Sequence, residues 1–290
     1  MLDFNEHNLT DAVVDRFGNC DQPRLKQIVQ ALTRHVHAFV KEVELTQDEW
    51  VAAIDFLTKT GPMCDDRRQE FILLSDVFGI SMLVDAINHR MPEGTTETTV
   101  LGPFYLGEHH LTSNGATLVA EDEGTPIYVE GSIHSPDGAP IADAVIDMWH
   151  TDAEGFYDAQ KPELQGAPKM RAQFKSDNQG RFWFKSIVPS SYPIPNDGPV
   201  GKLLDATKRH YMRPAHIHFH VSAPGYETLV THVFIDGDPW LMSDAVFGVK
   251  KSLIAPLVHS SAPQYPDNTP APKSWELLRY DFGLKPIQHA

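Results

Sequence analysis

Apolar residues recur with a 3.6-residue period through the first ninety positions. Leu25, Ile28, Val29, Leu32, Val36, Phe39, Val40 and Val43 mark one face of about five helical turns. Asp21 and Pro23 open that segment, since proline is tolerated in a first turn. Thr46-Gln47-Asp48-Glu49 reads as a capping box ahead of Trp50, Val51, Ile54 and Leu57, and Gly61 as the stop. Asp65 or Asp66 begins a further helix that reaches about to His89 on Phe71, Leu73, Leu74, Val77, Phe78, Ile80, Leu83, Val84 and Ile87. Three or four amphipathic helices without strand signals predict a helical layer over 1–95, a separate cap or a dimerisation surface.

From Glu93 onward the period shortens to two. Ile127 to Ile133 and Ala144 to Trp149 flank Pro136-Asp137-Gly138-Ala139-Pro140. Ala172 to Lys175 and Phe182 to Phe184 flank Asp177-Asn178-Gln179-Gly180, and His216 to Val221 and Thr228 to Ile235 flank Ala223-Pro224-Gly225-Tyr226. Short strands punctuated in this way predict a β domain over 96–290, an antiparallel sandwich or barrel. The fold class is therefore α+β, mainly β. Lys250 to Leu257 reads as a short helix and Trp275 to Phe282 as a last strand. Pro189 to Gly201, rich in Pro, Gly and Ser, reads as a long loop of the kind that often carries function.

Two places break the pattern. Asp76 lies three residues from Leu73 and four from Ile80, on the apolar face of its helix. A carboxylate there needs a partner, either a structural one or a polar ligand. In Arg213-Pro214-Ala215-His216-Ile217-His218-Phe219-His220-Val221, imidazole alternates with apolar residue. A strand sends alternate side chains to opposite faces, so His216, His218 and His220 share one face, with neighbours about 6.6 Å apart at Cα. Two of them can reach one metal ion, although a half-buried strand with a histidine-lined face would carry the same spacing.

Composition narrows the classes. The chain has 290 residues, 41% hydrophobic, which suffices for one large domain or two modest ones. Its net charge of −15 argues against nucleic acid and anionic membrane surfaces. Its two cysteines, Cys20 and Cys64, imply no disulfide framework and fit a reducing cytoplasm. The first residues lack a basic and apolar leader, and no apolar run approaches the ~18 residues of a membrane span. Fifteen histidines point toward metal or acid–base chemistry. Tyr157, after Gly155-Phe156, and Tyr192, held before Pro193 in the loop, read either as loop aromatics or as phenolate ligands for a hard trivalent ion.

Gly155-Phe156-Tyr157-Asp158, Tyr192-Pro193-Ile194-Pro195 with Asp197-Gly198-Pro199, and Arg213 to Phe219 resemble the motifs of the intradiol ring-cleaving dioxygenases. The N-terminal helices resemble the helical linker of the catechol 1,2-dioxygenase branch, so the likeness covers most of the chain. It implies one Fe(III) per chain bound by Tyr157, Tyr192, His216 and His218. His220, His150, His210 and His232 fall outside that ligand motif. It also implies a homodimer formed through the N-terminal helices, in some members with bound lipid. Leu73 to Asp85 and Val100-Leu101-Gly102-Pro103-Phe104 resemble, within that branch, members acting on hydroxyquinol (benzene-1,2,4-triol). Asp76 would there accept a hydrogen bond from the third hydroxyl. Leu73, Leu101, Gly102, Pro103, Phe104, Ile194, Pro195, Arg213 and Val246 would line the pocket.

The implied reaction is cleavage by O₂ between two adjacent ring hydroxyls, giving 3-hydroxy-cis,cis-muconate, a tautomer of maleylacetate. Tyr192 would take a substrate proton, and Arg213 would stabilise the negative charge that develops. The nearest rival is the same cleavage of catechol or a chlorocatechol to a cis,cis-muconate, which Asp76 would discriminate. A two-histidine, one-carboxylate Fe(II) or zinc enzyme on His216 and His218, and a non-catalytic sandwich module, are the more distant alternatives.

Overall fold

The structure, a computed structural model, describes residues 3–65, 68–107, 111–119, 123–161, 164 and 169–287, so Asp66 lies outside the described residues. Packing divides the chain into Met1–Lys59 and Thr60–Ala290.

In the first unit, α1 (Leu9–Arg16) and α2 (Pro23–Glu42) lie together, with Pro23 in the first turn of α2. The Gln30 side chain donates to the Val14 carbonyl at 2.9 Å, and Lys26 to that of Gly18 at 2.7 Å. The capping box forms as expected ahead of α3 (Gln47–Thr60), whose last residue falls at the boundary. Glu49 N donates to Thr46 Oγ1 at 3.3 Å, and Thr46 N to the Glu49 carboxylate at 2.9 Å. The apolar stripe of α2 stays open: Leu32 is 60% exposed and Phe39 54% exposed, and Ile28 and Val36 are also exposed.

In the second unit, the helix expected to run unbroken to His89 is two helices, α4 (Glu70–Val77) and α5 (Ile80–Asn88). Gly79 separates them at φ 70°, and its N–H bonds the Asp76 carbonyl at 2.9 Å. Glycine adopts that left-handed conformation without the Cβ penalty that other residues carry, so one residue stops the first helix and redirects the second.

The β strands follow in the order β1 (Pro126–His134), β2 (Val145–His150), β3 (Arg171–Lys175), β4 (Arg181–Ile187) and β5 (Tyr192–Pro193). After α6 (Pro199–Ala206) come β6 (Met212–Arg213), β7 (His216–Ser222), β8 (Leu229–Ile235), β9 (Ile254–Ala255), β10 (Leu257–Ser260), β11 (Trp275–Arg279) and β12 (Phe282–Gly283). One sheet runs β10-β11-β1-β12 with β4 on β1, a second runs β3-β2-β7-β8-β9, and β5 pairs with β6 alone. The expectation of purely antiparallel strands is corrected: β1 pairs parallel with β11 and β12, and β8 with β9. These parallel partners are far apart in sequence or reached through a long loop, not through a tight hairpin. The short helix expected over Lys250 to Leu257 is a single 3₁₀ turn, Lys251–Leu253, followed by β9 and β10. The β-branched Ile254 and Val258 suit those strands.

The core lies between the two sheets. Ile127, Val129, Ile133, Phe182 and Phe184 meet Ile146, Met148, Phe174, Ile217, Phe219, Val221 and Val233 there, all essentially fully buried. Each such side chain contributes about 1.5–3 kcal/mol by leaving water. Because strand parity is two, sending Ile217, Phe219 and Val221 into the core obliges His216, His218 and His220 to face the outer side of the second sheet.

Candidate metal centre

On that outer face β2, β7 and β8 lie in register, with His218 opposite both Trp149 and His232, and His216 opposite Phe234. His216 and His218 are almost wholly buried, while His220 is half-buried toward the strand end. Two tyrosines come in from outside the sheet. Tyr157 stands just before a 3₁₀ turn, Asp158–Gln160, and its N–H bonds the Gln160 side chain at 2.9 Å. Tyr192 belongs to the two-stranded ladder, directly opposite Arg213.

Four side-chain atoms converge. Tyr157 Oη lies 2.9 Å from His218 Nε2, 3.3 Å from His216 Nε2 and 3.2 Å from Tyr192 Oη. The two Nε2 atoms lie 3.1 Å apart. His216 Nδ1 donates to the Pro214 carbonyl at 2.6 Å, which fixes its proton there and leaves a lone pair on Nε2. Burial first, and Arg213 second, push the His216 pKa down to about 3, and burial holds His218 well below its ordinary value. Burial and the neighbouring Tyr192 oxygen push the Tyr157 phenol well above 10. These four atoms make four contacts at hydrogen-bond distance, more than the two phenolic protons can bridge. A cation at their centre would satisfy all four, and hard phenolate oxygens with imidazole nitrogens suit iron. The donor set fits the group.

Arg213 stands beside this cluster. Its Nε lies 3.1 Å from Asp244 Oδ1 and its Nη2 3.3 Å from Asp244 Oδ2, in a pair buried on both sides. Burial opposes the guanidinium charge, but Asp244 outweighs it and raises the Arg213 pKa above its usual value. Asp244 also accepts from Val246 N and Gly248 N, and Arg213 holds its pKa low against the pull of burial. Arg213 Nη1 is thereby aimed at Tyr192 Oη at 3.4 Å and His216 Nε2 at 3.5 Å.

The residues expected to line the pocket divide. Leu73, Ile194 and Val246 meet in one apolar cluster with Val77, Val200 and Leu204. Phe104 stacks on Tyr157, ring centres 4.4 Å apart. Gly102 packs so close to His218 that a Cβ would stand 3.2 Å from its Cε1. Leu101 and Pro103 are exposed and Pro195 is half-buried, each entering as the chain neighbour of these contacts. Asp76, whose Oδ1 is buried with no partner, feels the charges of Arg213 and Asp244, and burial raises its pKa.

Two residues of the site escaped the motif reading. Asp244 is the counter-ion of Arg213. His232 lies with its ring centre 4.2 Å from that of His218 and 4.7 Å from that of His216, the three forming a buried cluster of possible ligands. Burial also lowers its pKa well below the usual value. The signal for His232 was its strand register opposite His218, which pairing supplies and period does not. His220 instead faces Asp147 at 3.5 Å and stacks on Tyr105. His150 bonds the Thr151 carbonyl and Ser186, and His210 accepts from Met212 N, so neither joins the cluster.

A family model described as "Dioxygenase" matches residues 100–286, and one described as "Catechol dioxygenase N terminus" matches residues 22–96. The 6-chlorohydroxyquinol 1,2-dioxygenase of Cupriavidus pinatubonensis is 50% identical over 286 residues, covering 99% of each chain. The hydroxyquinol 1,2-dioxygenase of a Rhizobium species is 50% identical over 252 residues, 87% of this chain and 85% of the relative. The solved hydroxyquinol 1,2-dioxygenase of Pseudomonas putida superimposes with a TM-score of 0.92 at 46% identity, covering 97% of this chain and 99% of that one. Sequence, fold and the converging tyrosines and histidines agree that this chain belongs to the intradiol ring-cleaving dioxygenases, in the branch that carries the catechol dioxygenase N-terminal segment.

Proposed function

We propose that the chain opens hydroxyquinol between its two adjacent hydroxyls, adding both atoms of O₂ to give 3-hydroxy-cis,cis-muconate, the tautomer of maleylacetate. The observation that carries the reading is the convergence of Tyr157, Tyr192, His216 and His218 beside a buried carboxylate with an unpartnered oxygen. Tyr157, Tyr192, His216 and His218 would hold one Fe(III), which when bound draws electron density from the adjacent hydroxyl oxygens so that the ring accepts O₂.

The protein's own residues do the rest. Tyr192 Oη, as one of the phenolates that would hold the metal, would be the group that takes a proton from a substrate hydroxyl. Arg213, fixed by Asp244, holds positive charge 3.4 Å from that oxygen and stabilises the negative charge that gathers on the ring. Leu73, Ile194 and Val246, with Phe104 over Tyr157, give the aromatic ring an apolar slot and exclude water. Asp76 accepts the third hydroxyl, the group that catechol lacks, and the curated relatives named for hydroxyquinols support that choice.

The open apolar face of α2 supports a homodimer through the N-terminal helices, a surface that also suits a lipid chain. Both cysteines are unbridged, which supports a cytoplasmic setting. No helix among the described residues is long and apolar enough to cross a membrane.

The test is the visible spectrum of the iron-loaded protein with and without hydroxyquinol under argon, followed by O₂ uptake with hydroxyquinol and catechol. The expected protein is red to purple, shifts on adding substrate, and has a higher kcat/KM for hydroxyquinol. A colourless iron-loaded protein would overturn the two-tyrosine site. Equal kcat/KM for the two substrates would overturn the substrate.

A further inference from the structure

The half-buried guanidinium of Arg209 bridges two backbone carbonyls. Its Nη1 donates to the Val77 carbonyl at 2.6 Å and its Nη2 to the Ala245 carbonyl at 3.2 Å. Both acceptors adjoin residues of the site. Val77 is the last residue of α4 and follows Asp76. Ala245 stands between Asp244, the counter-ion of Arg213, and Val246, which packs in the apolar cluster with Leu73 and Ile194.

A helix leaves its last carbonyls without partners of its own. At the end of α4, Phe78 N serves the Leu74 carbonyl at 3.2 Å and Gly79 N the Asp76 carbonyl at 2.9 Å. The Val77 carbonyl goes to Arg209, whose positive charge also suits the negative end of a helix. Arg209 is itself anchored. After α6 the chain turns through Lys208 at φ 55°, where glycine is the usual residue, and Arg209 N bonds the Leu204 carbonyl at 2.9 Å. The guanidinium lies over the Phe247 ring, 5.2 Å from its centre, and a Cβ on Gly79 would stand 3.5 Å from the same ring. Phe247 N closes the turn by bonding the Asp244 carbonyl at 3.0 Å. One side chain thus holds the end of α4, the end of α6 and the 244–247 turn in a fixed relation.

We infer that Arg209 is a positioning residue for substrate selection: its fork ties the end of α4 that carries Asp76 to the turn that carries Asp244 and Val246, and so sets the span between the carboxylate that takes the third hydroxyl and the charged side of the site. This rests on the assignment of Asp76 above. Arg209 acts through the backbone and not on the reacting atoms. A triol is gripped at both ends of that span, so its binding depends on the span being held; a diol is gripped at one end and tolerates a looser one. Lysine keeps the charge but lacks the rigid fork that matches two acceptors.

The experiment measures kcat and KM for hydroxyquinol and catechol in the iron-loaded parent, R209M, R209K, D76A and the R209M/D76A double variant. In R209M the ratio of kcat/KM for hydroxyquinol to that for catechol falls about tenfold, mainly through KM for hydroxyquinol, the scale of one hydrogen bond to a charged group. R209K falls by nearly as much. In D76A the ratio is already low, and adding R209M changes it by less than about twofold, because both substitutions act on the same contact. An R209M enzyme that keeps the parent ratio while D76A loses it overturns the role of Arg209 and leaves Asp76 standing. A D76A enzyme that keeps the ratio overturns both. Effects that multiply in the double variant, or an equal fall for the two substrates in R209M, mark a merely structural arginine and overturn the inference, as does an R209K enzyme with the parent ratio. Should R209M not fold, R209K is read by the same ratio, alone and with D76A.

Discussion

Asp244→Asn isolates the electrostatics behind Arg213. The side chains of Arg213 and Asp244 are 4% and 2% exposed, and they meet through Nε and Nη2 at 3.1 and 3.3 Å. Removing one member of such a pair leaves the other charged, dry and unbalanced, which costs about 3–5 kcal/mol. For a chain of this size that is a fall in Tm on the order of 10 °C. Arg213→Met alone strands the carboxylate and costs a similar amount. The double variant strands neither charge, so it should be more stable than the sum of the single effects by at least about 2 kcal/mol.

The pH dependence has a definite sign. The pKa of Asp244 is depressed in the folded protein, so its contribution is complete above the ordinary value of 3.8 and lost as pH falls through the lower folded value. Asp244→Asn removes that acid-side dependence. The assay is reversible thermal or urea unfolding of the four proteins at neutral and acid pH, with kcat measured alongside. Additive single effects, or an Asp244→Asn Tm within about 1 °C of the parent, would refute the reasoning.

Burial lowers the His150 pKa to about 4 from 6.5, so the folded state resists its protonation. Stability should be whole above pH 6.5 and fall by about 3 kcal/mol on acidification toward pH 4, a dependence that urea titration shows flattened in His150→Gln. Tyr157→Phe removes the oxygen that touches both histidines; iron content by elemental analysis and the visible absorption should both fall sharply. Leu32→Glu with Phe39→Glu places charge on the open face of α2, and if that face forms the proposed homodimer, sedimentation should show a dimeric parent and a monomeric variant.

The fold was legible wherever one element carried its own period. The alternation around His216 set which side chains enter the core and which reach the site, and the capping box placed the start of α3. What depends on pairing was not legible. His232 sits alone in Leu229-Val230-Thr231-His232-Val233, and only its register with His218 brings it to the cluster. The parallel pairing of β1 with β11 joins strands about 150 residues apart, for which neither carries a local signal. The break at Gly79 was hidden because apolar positions continue on both sides of it, so the period survives a change of axis. For Tyr192 the flanking prolines hinted at a role, but for both Tyr157 and Tyr192 the motif rather than the spacing made the tie to the histidines.

The four converging groups do not share one mounting. His216 and His218 ride on the central strand of a five-stranded sheet whose other face is the core. Tyr192 rides on a ladder of two rungs, Tyr192 with Arg213 and Pro193 with Met212, continued by Ile194 N to the Tyr211 carbonyl at 2.8 Å. Proline contributes no donor to that ladder. The local opening free energy beneath Tyr192 is therefore small compared with that beneath the imidazoles. In the proposed reaction this would let the tyrosine leave and return while the histidine frame holds its aim. Because Arg213 is its rung partner yet is pinned separately by Asp244, the charge stays in place when the phenol leaves. Under the proposed role, endurance over many catalytic cycles would then follow from unequal stiffness: a yielding support for the group that exchanges and a rigid one for the groups that stay.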